Sequence, residues 1–220
     1  MKIFNYTLRS SRTIKAALGR DLADIPADFP ALFRAADKLC LVTGTDAPPS
    51  LRARALALFP EGGTPHAYFW LPPSEKAKTL EQAGKLCSFL FEKGFSRNSL
   101  IIAAGGGAVT DLAGFAASIY MRGINWISVP TTFLAQIDAG LGGKTAVNLG
   151  GAKNIAGTFH QPALAVCDTA FLDSLPHAEL RSGAGELVKY AMIGPGALRR
   201  TIISHLLKNL SGARSALTAC

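Results

Sequence analysis

The stretch LIIAAGGGAVTDLAGFAASIY, residues 100–120, decides the fold. Residues 100–104 form an apolar run of strand length that ends in Gly105-Gly106-Gly107. A helix of small residues is predicted to follow over 109–120. A strand that passes through glycines into a helix lets backbone N–H groups approach a phosphate without Cβ interference, and the helix N-terminus adds partial positive charge. The full GxGxxG pattern is absent, because Thr110 stands where its last glycine would be. Read alone, the turn suits nucleotide binding and a plain tight turn equally. Ala113, Gly114, Ala116 and Ala117 favour close helix-to-sheet packing in either case.

Outward from this unit, short β-type runs alternate with helical patterns, the signature of a parallel sheet with covering helices. Residues 2–8 read as an edge strand, 38–43 (KLCLVT) as a buried strand, 51–59 as a short helix and 67–71 as a short aromatic strand. Ser74 reads as the N-cap of one helix from Glu75 to about Lys93, closed by Gly94. Residues 125–129 are the next strand. Residues 131–168 turn rich in Gly, Thr, Asn and Lys, with one clear strand at 163–167. Residues 177–210 read as mostly helical, interrupted by Gly194-Pro195-Gly196. The expected fold class is α/β: a Rossmann-like parallel sheet in an N-terminal domain over 1–168, then the start of an α-helical domain over 169–220. Some fifty residues are too few to close a core of their own, so that second domain reads as incomplete.

Composition narrows the function classes. Of 220 residues, 49% are hydrophobic and 17% charged, which excludes a disordered chain. The longest apolar stretch, 100–109, has ten residues, three of them glycine, against the roughly 20 that a bilayer-spanning helix needs. The N-terminus MKIFNYTLRSSRTIK has no apolar segment before a small-residue cleavage site, so a cytoplasmic protein is expected. Cys40, Cys87, Cys167 and Cys220 form no CxxC pair, and buried reduced thiols are expected. The net charge is +8, and five of the basic residues fall between Leu187 and Cys220, where there are no acids. No stacking aromatics alternate with those charges, so a small anionic substrate fits better than nucleic acid.

Three clusters carry candidate chemistry. In PTTFLAQIDAGLGGKTAVN, Pro130 ends a strand at the ligand-binding edge of the sheet, Thr131 and Thr132 offer hydroxyls, and Asp138, Lys144 and Asn148 follow. Lys153-Asn154 lies in a second glycine-bordered loop, GGAKNIAG. In SGAGELVKY, Glu186 and Lys189 are three apart on a predicted helix, a spacing that suits a surface ion pair or a metal ligand beside a substrate contact. His66, His160, His177 and His205 show no paired metal-ligand spacing, so zinc binding is weakly supported by the residues alone.

Taken in order, GGGAVTDLAGFAASIYMRGINWISVPTTFLAQIDAGLGGKTAVN, KNIAGTFHQP and SLPHAELRSGAGELVKY resemble the 3-dehydroquinate synthase family, densely from about Leu100 to Ile193 and loosely before. The resemblance implies an NAD- and metal-dependent phosphorus–oxygen lyase of the shikimate pathway. Such an enzyme converts the seven-carbon keto-acid phosphate DAHP to 3-dehydroquinate and phosphate, through transient oxidation, elimination, re-reduction and aldol closure. By the same resemblance, Asp46 in TGTD and Glu75 with Lys78 in PSEKAK hold the adenosine ribose. Gly106, Gly107, Ala108, Val109, Thr110 and Asp111 form the pyrophosphate and nicotinamide loop, and Thr131 and Thr132 add NAD contacts. Phe171, Leu172, Asp173 and Ser174, with Leu175 and Glu179, continue the cofactor wall. Asp138, Lys144, Lys153, Asn154 and Lys189 lie at or near the substrate, Lys144 and Lys153 on the cofactor side as well. Arg122 in YMRG reaches a neighbouring subunit's site in a homodimer, and Glu186 is the first ligand of a zinc or cobalt ion. The remaining histidine ligands of the family lie in a later GHxxGH-type segment that residues 194–220 lack, so the metal site is expected to be incomplete in this chain. A related sugar phosphate cyclase, a metal-dependent polyol dehydrogenase and a non-catalytic NAD-binding module are the alternatives.

Overall fold

A computed structural model describes residues 2–7, 13–60 and 66–208. Among these residues, nine strands occur: β1 (Lys2–Thr7), β2 (Thr13–Gly19), β3 (Leu39–Gly44), β4 (His66–Leu71), β5 (Leu100–Gly105), β6 (Asn125–Pro130), β7 (Lys144–Leu149), β8 (Ala152–Phe159) and β9 (Leu164–Asp168). Seven form one sheet in the order β1-β2-β9-β6-β5-β3-β4, with β1 antiparallel to β2 and the other six strands parallel. The helices are α1 (Ile25–Asp28), α2 (Pro30–Arg34), α3 (Pro49–Leu56), α4 (Leu80–Glu92), α5 (Gly107–Ile119), α6 (His177–Ile193) and α7 (Gly196–Lys208). This is the expected α/β class with a Rossmann-like parallel sheet.

The sheet explains the continuous apolar runs. Every residue of β3, β5 and β9 is buried, because helices cover both faces and neither face needs polar side chains. Alternation sorts those residues into two layers. Leu39, Leu41, Leu100, Ile102, Ile127 and Val166 pack with Ile25, Phe29 and Phe33 on one side. Cys40, Val42, Ile101 and Ala103 pack against Leu86 and Leu90 of α4 and Leu112 and Phe115 of α5 on the other. Each such valine, leucine, isoleucine or phenylalanine contributes about 1.5–3 kcal/mol by leaving water. A third cluster joins Phe133, Ile137 and Leu172 to Leu187, Ala191 and Ile202, which seats α6 and α7 on the segment after β6. No helix among the described residues is long and apolar enough to cross a membrane.

The structure corrects three readings. The single helix expected from Glu75 to Lys93 is two elements. Ser74 caps only a 3₁₀ turn, Glu75–Ala77, by accepting from the Lys76 amide, while Thr79 caps α4 by accepting from Gln82. The break falls at Lys78, whose carbonyl accepts from the Asn148 amide at 2.8 Å, so a tertiary contact replaces a helical one. The segment 131–168, expected to hold one strand, also holds the hairpin of β7 and β8. Its turn, Gly150-Gly151, has φ of +59° and +81°, a conformation that glycine adopts without strain. The short helix expected over 51–59 runs instead over Pro49–Leu56, with proline at its first turn.

The thiols test this packing. Burial pushes the Cys40 and Cys167 thiols up to about 12. Iodoacetamide at pH 8 is expected to leave both unmodified until denaturant is added, read by peptide mass mapping; labelling of either in the folded chain overturns the layer assignment.

Candidate functional site

From β3 the chain moves out to β4 and then crosses back over β3 to β5, so the order reverses between β3 and β5. Open α/β sheets bind ligands outside the carboxyl ends of their strands at such a point. The segments that leave those ends hold Asp46 after β3, Glu75 and Lys78 after β4, residues 106–111 after β5, Thr131 and Thr132 after β6, and residues 171–174 after β9. Parallel pairing alone thus brings most of the expected cofactor residues to one edge.

At the centre is the glycine turn. Gly106 is the N-cap of α5, and residues 106–109 are half-buried. The Thr131 amide donates to the Gly105 carbonyl at 2.9 Å, which ties the segment after β6 to the turn. A Cβ placed on Gly106 would come within 3.1 Å of Thr132 Cγ2, so Thr132 flanks the turn. Thr110 needs no glycine: it is buried, and its hydroxyl donates back to the Gly107 carbonyl at 3.2 Å.

Beside the turn lies a buried ion pair. Lys78 Nζ donates to Asp111 Oδ2 and to Asn154 Oδ1, and the Lys78 side chain is only 4% exposed against 14% for Asp111. Burial foremost holds the Asp111 carboxyl above the usual aspartate value. The Lys78 ammonium opposes that rise, while the Glu75 and Asp138 carboxylates add to it. Asn148 joins the group from β7, donating from Nδ2 to Glu75 Oε1 at 3.1 Å and accepting from the Asn154 amide at 3.0 Å.

A second group sits on a π-helical turn, Ala135–Ala139, and on α6. Tyr190 donates its hydroxyl to Asp138 Oδ1 at 3.1 Å, and Lys189 Nζ meets Glu186 Oε1 at 2.5 Å. The Glu186 bond foremost holds the Lys189 ammonium above the usual lysine value, with Asp138 adding to it. Asp138 therefore acts on both groups, Asp111 in one and Lys189 in the other.

The other expected residues are placed as follows. Lys144 and Lys153 are exposed on the hairpin. Phe171 is buried in the first layer and Leu172 in the third cluster, while Asp173 pairs with Arg20 at 2.6 Å and Ser174 is exposed. Asp46 is exposed just past β3. Arg122, with φ of +68°, lies beyond the far end of α5, a helix about 20 Å long, and so stands apart from the rest. Tyr190 escaped the sequence reading; its place four residues after Glu186 on one helix face was the available signal.

The geometry accommodates a dinucleotide better than it does a metal ion. The first amides of α5 have no helical partner, and a Cβ built on Gly107 would meet Ala139 Cβ no closer than 3.6 Å, so the backbone there can be approached closely. Among the described residues, no three His, Cys, Asp or Glu side chains gather to hold a metal, and Glu186 is engaged by Lys189.

Comparison with known proteins adds identity to this geometry. The family model for the N-terminal part of 3-dehydroquinate synthase matches residues 68–182. A 3-dehydroquinate synthase of Alkaliphilus metalliredigens is 44% identical over 163 residues, covering 68% of this chain and 46% of its own length. The chain thus spans just under half of that relative. Among solved structures, 2-deoxy-scyllo-inosose synthase complexed with carbaglucose-6-phosphate, NAD+ and Co2+ superposes with a TM-score of 0.83 at 26% identity, covering 99% of this chain and 61% of that one. The 2-epi-5-epi-valiolone synthase of Streptomyces hygroscopicus subsp. jinggangensis 5008, with NAD+ and Zn2+ bound, gives 0.79 at 27% identity, covering 98% and 60%.

Proposed function

The chain belongs to the 3-dehydroquinate synthase family, and on that premise we propose that it forms the NAD-binding part of an enzyme that converts DAHP to 3-dehydroquinate and phosphate. The observation that carries this reading is the glycine turn at the sheet's reversal point, flanked by the buried Lys78–Asp111 pair. Bound NAD supplies a reversible hydride acceptor for the transient oxidation of a substrate hydroxyl.

The chain's own residues do the positioning. The α5 amides and Thr131–Thr132 hold the pyrophosphate, and Glu75 with Lys78 holds the ribose. Asp111 and Asn154, fixed on the Lys78 ammonium, line the boundary between cofactor and substrate. Lys144, Lys153 and Lys189 supply positive charge for a substrate carboxylate and phosphate. Asp138, held by Tyr190, orients the substrate hydroxyls. Glu186 is the ligand we assign to a divalent metal centre, and it would contribute one carboxylate oxygen to it. Arg122, far from the remaining residues, is assigned to the site of a neighbouring copy in a homodimer. Among the described residues the thiols of Cys40, Cys87 and Cys167 are free, which suits the reducing cytoplasm to which we assign the protein.

A related sugar phosphate cyclase is the second reading, since the superposed synthases share the scaffold. Titration calorimetry separates the possibilities. One NAD is expected to bind per folded chain, and DAHP is expected to bind the NAD-loaded chain with an affinity that falls as salt rises. Failure of NAD to bind a folded chain overturns the cofactor assignment. Preference for an uncharged polyol over DAHP redirects it to a dehydrogenase, and preference for a hexose phosphate redirects it to another cyclase.

A further inference from the structure

Asn148 falls where the β7–β8 ladder is irregular. Pairing runs through Val147↔Ala156 and resumes only at Leu149↔Ala152. Freed from its strand partner, Asn148 turns its backbone toward the break before α4 and donates its amide to the Lys78 carbonyl at 2.8 Å. Its side chain makes contacts of opposite polarity. Oδ1 accepts from the Asn154 backbone amide at 3.0 Å, while Nδ2 donates to Glu75 Oε1 at 3.1 Å and, at a longer 3.4 Å, to the Glu75 carbonyl.

The first contact has a consequence at Asn154. That residue sits at φ +58°, the left-handed region, which an asparagine adopts at modest cost and which local hydrogen bonding must sustain. In this conformation its side-chain oxygen accepts from Lys78 Nζ, the group that also holds Asp111. The second contact fixes the Glu75 carboxylate. One amide therefore holds Glu75 on one side and Asn154 on the other, and through Asn154 it reaches the Lys78–Asp111 pair. An aspartate there would lose the donor and set two carboxylates against each other; an alanine would lose every one of these side-chain bonds.

We propose that Asn148 is a positioning residue that holds Glu75 and Asn154 in the geometry in which they meet cofactor and substrate. The role rests on the NAD-binding reading above and adds to it a residue that touches neither ligand. A hairpin-closing asparagine with no such role would be indifferent to the charge of Glu75, and that difference makes the proposal testable.

The test pairs a ligand-free measurement with a binding cycle. In the ligand-free chain, Asn148→Ala is expected to speed exchange of the Asn154 amide proton at least about tenfold, read residue by residue by NMR, with the β5 amides unchanged. Asn148→Asp keeps an acceptor and is expected to preserve that protection. In NAD titrations at pH 7.5, Asn148→Asp is expected to weaken binding about tenfold by loss of a charge-assisted bond and like-charge repulsion. In a Glu75→Gln background, where the amide at position 75 donates to the introduced carboxylate, the same change is expected to cost less than about threefold. Unchanged Asn154 exchange in Asn148→Ala, or an equal cost in both backgrounds, overturns the proposal. If the folded wild-type chain binds no NAD, the cofactor reading fails, and the exchange data still decide whether Asn148 holds Asn154. Should Asn148→Ala not fold, exchange in Asn148→Asp and its double variant decides in its place: lost Asn154 protection in both overturns the role.

Discussion

Replacing Gly107 by leucine is expected to weaken NAD binding at least about 100-fold, near 2.8 kcal/mol, while the chain stays folded. The expectation follows from what surrounds that position. Gly106 caps α5, and its carbonyl already accepts from the amides of Val109 and Thr110 at 3.0 and 3.1 Å. The amides just before those are the ones that a pyrophosphate would meet. A Cβ on Gly107 would meet Ala139 at an ordinary 3.6 Å, so an alanine fits at this first helical position. The branches of a leucine would extend past that Cβ into the space in front of the first turn of α5. That same space is the proposed phosphate cradle. Gly107→Ala is therefore expected to cost no more than about tenfold in affinity, which separates occlusion from loss of the turn. Calorimetric titration gives the affinities, and thermal melting checks the fold. Wild-type affinity in a folded Gly107→Leu chain would place the pyrophosphate elsewhere.

How much of this was legible in the sequence depends on where each signal resides. Strands β3, β5, β6 and β9 announce themselves because a strand buried on both faces is a continuous apolar run, and β5 runs straight into its glycines. Strand β2, TIKAALG, carries no such run; its pairing with β9, about 150 residues away, makes it a strand. In the β7–β8 hairpin β7 buries only Thr145 and Val147 and β8 is largely exposed, so its apolar alternation is weak in the sequence, and only Gly150-Gly151 marked it. The same division holds at the site. The glycine turn, Lys78, Asp111 and Asn154 were each visible as residues of the right type. Their convergence was not: Lys78 finds Asp111 across 33 positions and Asn154 across 76. The tie from Tyr190 to Asp138 spans 52. Local spacing carries no trace of contacts made by the fold. The break of the expected 75–93 helix at Lys78 has the same origin, since its cause is an amide donated from β7.

Removing the carboxylate of Asp111 is expected to be the most destabilising single change at the site, about 3–5 kcal/mol for Asp111→Ala, or a fall in Tm of roughly 6–20 °C. Lys78 is 4% exposed, and its partners are one carboxylate and one amide oxygen. With the carboxylate gone, the ammonium stays buried with a neutral acceptor alone, and its lost hydration is no longer offset. The pair itself adds little net stability against a neutral replacement, so Lys78→Met with Asp111→Asn is expected to recover to within about 2 kcal/mol of wild type. The pH dependence gives an independent check. The Asp111 carboxyl in the folded chain titrates above its unfolded value of 3.8, because burial disfavours its charge more than Lys78 favours it. The folded state thus holds that proton the more tightly, and the contribution of Asp111 to stability declines as pH rises from 3.8 through the folded value. Lys78→Met alone deletes the opposing cation and widens that window upward. Its stability is expected to improve as the solution is acidified from neutrality toward pH 5, with no such gain in Asp111→Asn. Urea unfolding of the wild type and these four variants across pH measures both effects. A loss below about 1 kcal/mol in Asp111→Ala would mean that Lys78 is hydrated in solution, and the buried pair could not then anchor Asn154 beside the cofactor.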